Sequence, residues 1–186
     1  MNAQRRLWLK TAGLSGLSVM VPGAWLRAGT QNAEEEGFVS QPEDQETYLI
    51  GPRRAPVTII VDRQKKGIAT TSFCKEDIRP GSGIPVHKHL NEAELIYIQQ
   101  GSGLFLLGEK EHPVQAGTTA YVPKSAWHGI RNTGSDTLVM LFSFTPSGFE
   151  NYFREIGSPA GTGGKDLTSE AFAAIDQRYG IVYRGK

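Results

Sequence analysis

From Val57 onward the chain alternates short apolar runs with turn residues. "VTIIVD" (Val57–Asp62) is β-branched, and "GIATTSFCKEDI" (Gly67–Ile78) alternates in part. "ELIYIQQ" (Glu94–Gln100) stops at Gly101, and "GLFLLGEKEHPVQAG" (Gly103–Gly117) has the pattern of a hairpin turning near residues 108–110. "TTAYVP" (Thr118–Pro123), "AWHGIRN" (Ala126–Asn132) and "TLVMLFSF" (Thr137–Phe144) follow. Strands at this spacing with no helix between them predict an all-β sandwich or barrel. Residues 34–56 have few periodic apolar positions and form an extended lead-in. After Pro146 the period changes. In "SGFENYFREIG", Ser147 and Glu150 have capping-box spacing, and Phe149, Tyr152, Phe153 and Ile156 share a helical face. "LTSEAFAAIDQRYGI" (Leu167–Ile181) predicts a second helix, with Thr168 as N-cap and Gly180 as its stop. Three parts result: residues 1–33, a β domain with its lead-in over 34–146, and a helical extension over 147–186.

Composition narrows the function classes. With 186 residues there is room for one domain and a tail. A formal charge of +1, with no basic stripe interleaved with aromatics, excludes nucleic acid as the expected partner. The single cysteine, Cys74, excludes an intrachain disulfide framework and is expected to be buried. The first 33 residues change the picture more. Arg5-Arg6, Leu7-Trp8-Leu9 and Lys10 precede a weakly apolar run from Thr11 to Leu26, which resembles a twin-arginine export signal. The run is short and polar for a spanning helix. The resemblance implies a periplasmic or secreted protein with no membrane span in the mature chain. Removal through Ala33 takes basic residues from 20 to 16 against 19 acidic ones, a net charge of −3.

The candidate chemistry lies between Gly81 and Gly101, in "GSGIPVHKHLNEAELIYIQQG". Side chains alternate faces along a strand, so His87 and His89 point the same way. Glu94 reaches them if residues 90–93 form a turn and the chain re-enters on a neighbouring strand. Imidazoles and a carboxylate converging inside a barrel make a transition-metal site. His128, in the second half of the β region, is the natural further donor. His112 and Glu92 are expected to be exposed loop residues. Ile96 and Ile98 should line the interior, with Tyr97 facing away. Phe73, Phe105, Phe142 and Phe144 are expected mainly in core packing, and Trp127 against a sheet.

Two spaced motifs bring a resemblance with them. Gly81, His87-x-His89, Glu94 and Gly101 resemble the first cupin motif, and Gly117, Pro123, His128 and Asn132 resemble the second, with 15 residues between the motifs. Ser125 stands where the family often has glycine. The resemblance implies a single cupin β-barrel, a double-stranded β-helix or jelly roll, followed by two short C-terminal helices. It implies a divalent transition metal (Fe, Mn, Ni or Zn) held by His87, His89, Glu94 and His128, with Glu94 doubling as a catalytic base. The "GFE-x-x-FRE-x-G" segment (Gly148–Gly157) is similar to small quercetin-dioxygenase-like cupins. The expected activity is therefore metal-dependent dioxygenation of a small aromatic or enolisable substrate. The alternatives are a non-oxidative isomerase or decarboxylase, or a small-ligand-binding module. Cupins commonly pair, so a homodimer is expected, with the lead-in as a candidate for strand exchange.

Overall fold

Residues 37–185 are described by a computed structural model. The export segment expected over residues 1–33 lies outside them. After a single 3-10 turn at Pro42–Asp44, the strands are β1 (Glu46–Ile50), β2 (Ala55–Val61), β3 (Phe73–Ile78), β4 (Gly83–His89), β5 (Ala93–Gln100) and β6 (Ser102–Leu107). They continue with β7 (Lys110–Gln115), β8 (Thr119–Val122), β9 (His128–Arg131), β10 (Leu138–Thr145), β11 (Gly157–Pro159) and β12 (Ile181–Tyr183). Helices are α1 (Arg63–Lys66), α2 (Glu150–Ile156) and α3 (Ser169–Tyr179). A seven-stranded sheet runs β11-β1-β2-β3-β10-β5-β8 and a five-stranded sheet runs β12-β4-β9-β6-β7. Every pairing is antiparallel. The fold is the all-β jelly roll that the family resemblance implied.

Alternation decides which side chains enter the space between the sheets. In β5, Glu94, Ile96 and Ile98 are buried while Leu95 and Tyr97 are half exposed. In β10, Leu138, Met140, Phe142 and Phe144 point inward. The register sets Phe144 beside Glu94, Phe142 beside Ile96 and Met140 beside Ile98. On the other flank of β10, Cys74 sits beside Phe142 and Glu76 beside Met140. Gly101 turns the chain between β5 and β6 at φ +80°, and a Cβ there would lie 2.7 Å from the backbone of Thr137 and Leu138. Only glycine fits a left-handed turn against so close a neighbour.

Several boundaries differ from the pattern-based reading. β3 begins only at Phe73, because Asp62 accepts from Lys65 N and starts the short helix α1, which closes at Gly67 with φ +71°. The lead-in contributes β1, which pairs with β2 and β11 of its own chain. Ser147 does not cap α2: its hydroxyl donates to Ile68 O, and the Glu150 carboxylate instead accepts from Gly148 N and Arg63 N. Thr168 caps α3 by accepting from Ala171 N, and Gly180 ends that helix at φ +65°. The chain then forms β12, which local periodicity did not reveal and which pairs with the histidine-bearing β4. A charged cluster ties α2 to β1 and the end of β2. Arg154 donates to Glu46, Asn151 and buried Asp62. No helix among the described residues is long and apolar enough to cross a membrane.

Candidate metal centre

His87 and His89 lie on β4 two residues apart and both turn inward, at 7% and 3% exposure. Lys88 between them turns outward, its ammonium 4.7 Å from the centre of the Trp127 ring, with Arg184 over the same ring. Trp127 is thus a surface platform for two cations, which fits its expected place outside the pocket. His128 opens β9 directly opposite His87, after a bulge shifts the register between Ile84 and His87. Glu94 arrives from the other sheet, on β5. The predicted four residues therefore meet between the two sheets. Each of the three imidazoles offers a ligand nitrogen, and these atoms lie within 4.8 Å of one another. Glu94 Oε2 is 2.9 Å from His128 Nε2 and 3.7 Å from His89 Nε2.

Hydrogen bonds orient two of the rings. His87 Nδ1 is 2.8 Å from Pro85 O, and His128 Nδ1 is 3.0 Å from Ala126 O. A carbonyl only accepts, so these Nδ1 atoms carry the protons and the Nε2 lone pairs face the centre. His87 Nε2 and His89 Nε2 are 3.2 Å apart. His128 Nε2 and Glu94 Oε2, despite their proximity, are both buried without a hydrogen bond. Buried polar atoms normally have partners. Lone pairs and a carboxylate oxygen aimed at one buried point fit a cation, so the three histidines can hold a metal, with Glu94 at its side.

The electrostatics agree. Burial, reinforced by the neighbouring His128, pushes His87 down to about 3. Burial and the other two imidazoles hold His89 well below its ordinary value. Burial also lowers His128, but contact with Glu94 and its charge outweigh this and leave its pKa raised. His87 and His89 are thus held neutral at physiological pH, the form that ligates metal, and the raised value of His128 reflects the carboxylate beside it.

The centre opens into a cavity of about 440 Å3. Its walls are mostly apolar, including Ile96, Ile130, Phe105, Met140 and Phe142, and Arg53 and Ser82 stand among the lining polar residues. Phe105, Phe142 and Phe144 thus line a pocket as well as packing the core, whereas Phe73 does not reach it. Phe149 closes the histidine end, its ring edge-on to His89 at 4.2 Å. His112 is exposed, as expected. Glu92 is not simply solvated. It is partly buried, one of its carboxylate oxygens lacks a partner, and burial, against the pull of Lys124, raises its pKa to about 7.

Among the lining residues that the sequence reading did not single out are Ile181, Tyr183 and Glu76. Ile181 and Tyr183 come from β12, which pairs with β4 so that they stand beside His89 and His87. A three-residue strand after a helix stop has no periodicity to detect. The third, Glu76, was detectable: inward-facing Cys74 and Ile78 flank it at spacing two.

Comparison with known proteins agrees with this architecture. Residues 75–144 match the family model described as the cupin domain. Over 69 residues the chain is 36% identical to an oxalate-binding protein of Thermotoga maritima, covering 37% of this chain and 57% of that one. Over 72 residues it is 38% identical to a putative glucose-6-phosphate isomerase of Rhizobium meliloti, covering 36% of this chain and 34% of that one. The solved structure of a predicted oxalate decarboxylase from Thermotoga maritima superposes with a TM-score of 0.51 at 24% identity, over 59% of this chain and 99% of that one, a likeness of fold. The chain thus spans less than two thirds of the length of these curated relatives.

Proposed function

We propose that this protein, whose residues 75–144 match the cupin-domain model, binds a divalent metal through His87, His89, Glu94 and His128 and uses it on a small oxygen-bearing organic ligand without consuming dioxygen. This is the chemistry of a decarboxylase or isomerase. The carrying observation is the convergence of three imidazole nitrogens in a largely apolar cavity, with His128 Nε2 and Glu94 Oε2 buried there without hydrogen-bond partners. The relatives named for oxalate binding and for sugar-phosphate isomerisation support the non-oxidative reading. A bound divalent ion supplies Lewis acidity, polarising a carbonyl or carboxylate oxygen. The chain's own residues do the rest. His87 and His89 stay neutral, Pro85 O and Ala126 O orient His87 and His128, Phe149 and Tyr152 wall the pocket, and Glu94 serves to take a proton from the bound ligand.

Dioxygenation of an aromatic compound is the second reading, favoured by the phenylalanine-rich lining. Metal analysis of the protein purified from its own compartment comes first. Oxo acids and sugar phosphates are then screened with and without air. Turnover that proceeds anaerobically supports the first reading. Oxygen uptake matched to product would sink it in favour of the second. Tight ligand binding with no product under either condition would instead leave a binding module.

A further inference from the structure

Glu76 is out of place for a core position. It lies on β3 between Cys74 and Ile78, faces inward, is 9% exposed, and lines the same cavity as the histidines. Its cross-strand neighbours are Val57 on β2 and Met140 on β10, both apolar. No hydrogen bond from any described residue acts on its carboxyl. Burial, followed by the charges of Glu94 and Asp77, raises its pKa to about 8. At neutral pH it is therefore largely protonated, an O–H donor that also accepts. Native structures seldom leave such a group unused, and the space it faces is the cavity.

The register places it relative to the centre. Glu76 pairs with Met140, Glu94 pairs with Phe144, and Met140 precedes Phe144 by four residues. Four residues of strand span roughly 13 Å. Glu94 and Glu76 are thus offset along the strands and line one largely apolar cavity, walled by Ile96, Met140 and Phe142. Arg53, which lines the cavity and donates to Ser82, brings a cation to the same lining. A two-carbon diacid at the histidines would leave most of 440 Å3 unfilled. The cavity suits a longer compound.

We propose that Glu76 sets the specificity of this pocket: it hydrogen-bonds a hydroxyl or carbonyl at the distal end of an oxo acid with an aromatic or alkyl body, whose oxygen-bearing head sits at the histidines. This rests on the metal-centred reading above. Oxygen-rich head, apolar middle and polar tail then each meet a matching part of the cavity.

The test compares two probes that differ only at the far end, phenylpyruvate and 4-hydroxyphenylpyruvate. Calorimetry is run on the full protein loaded with redox-inert Zn2+, as wild type, Glu76→Gln and Glu76→Leu. The wild type should prefer the hydroxylated probe by on the order of tenfold, the size of one well-made buried hydrogen bond. Glu76→Gln keeps a donor and an acceptor and should retain the preference. Glu76→Leu should abolish or invert it while still binding phenylpyruvate. Infrared difference spectra provide a readout independent of the variants. The protonated carboxyl band of the wild type should move with the hydroxylated probe alone. Equal affinity of the wild type for both probes, or a preference that survives Glu76→Leu, overturns the assignment. Failure of the metal-centred reading looks different: neither probe would bind the zinc-loaded wild type more tightly than the metal-stripped protein, and the proposal would fall with it.

Discussion

Replacing Glu76 with glutamine should stabilise the protein, by an amount that grows with pH. The side chain is buried among Val57, Met140 and the pocket wall, and burial raises its pKa from an ordinary 4.5 to about 8. The folded state therefore holds this proton more tightly than the unfolded chain does. Its contribution is fully present below about pH 4.5 and is lost as pH rises through the folded value. Each unit of displacement corresponds to about 1.4 kcal/mol. The difference between Glu76→Gln and wild type should then be under about 1 kcal/mol at pH 5 and approach a ceiling of about 4 kcal/mol at pH 8. Water entering the cavity would lower that ceiling. Urea denaturation of both metal-stripped proteins from pH 5 to pH 8 gives the curve. With a slope on the order of 2 kcal/mol per molar urea, the midpoints should separate by more than 1 M at the alkaline end. If the difference stays constant across this range, Glu76 is not desolvated in the folded protein, and the account of it as a neutral group in an apolar slot is wrong.

Other perturbations probe other parts of the molecule. His128→Ala removes one of three converging imidazoles and should weaken metal binding by at least the 10- to 100-fold that loss of an outer-shell partner costs, read by chelator competition; unchanged metal content would refute the ligand set. Arg154→Met strands Asp62, 3% exposed, without its cation, while Glu46 keeps Lys65. It should cost about 3 kcal/mol or more in urea denaturation, and a loss below 1 kcal/mol would show that solvent already screens the cluster. Ser125→Gly relieves a left-handed residue at φ 64° whose N–H donates to His89 O. It should raise stability by about 0.5 kcal/mol, steric relief being partly offset by the greater freedom of glycine in the unfolded chain; a clear destabilisation would mean that Ser125 makes a contact beyond its backbone bond.

Much of the candidate site was legible because it is written locally. The spacing of His87, His89 and Glu94 survives in the fold as two inward positions on β4, a turn, and the second residue of β5. Alternation placed Ile96 and Ile98 inside and Tyr97 outside, as found. Asn132, a fixed position of the second motif, closes a turn on nearby backbone. It does so through Gly134 N and Asp136 O, and it also donates to Ile78 O at the end of β3. That last bond joins residues 54 apart and has no local trace. The same holds for Ser147, whose capping spacing was correct but whose hydroxyl found Ile68 O instead. Glu92 shows the reverse error. A polar residue in a short turn is exposed by default, and packing of the turn buries part of it.

The sequence by itself determined the strand pattern, the face each of these side chains takes, and which four residues are suited to a metal. Those depend on residues a few positions apart, where pleat and turn geometry dictate the outcome. Only the tertiary structure decided that Glu94 crosses from one sheet to histidines on the other, that β12 lies beside β4, and that Phe149 abuts His89. It also decided that Glu76 looks into the cavity that the histidines share. These are pairings between distant parts of the chain. Their choice rests on the summed burial of both sheets, a quantity that no window of sequence contains.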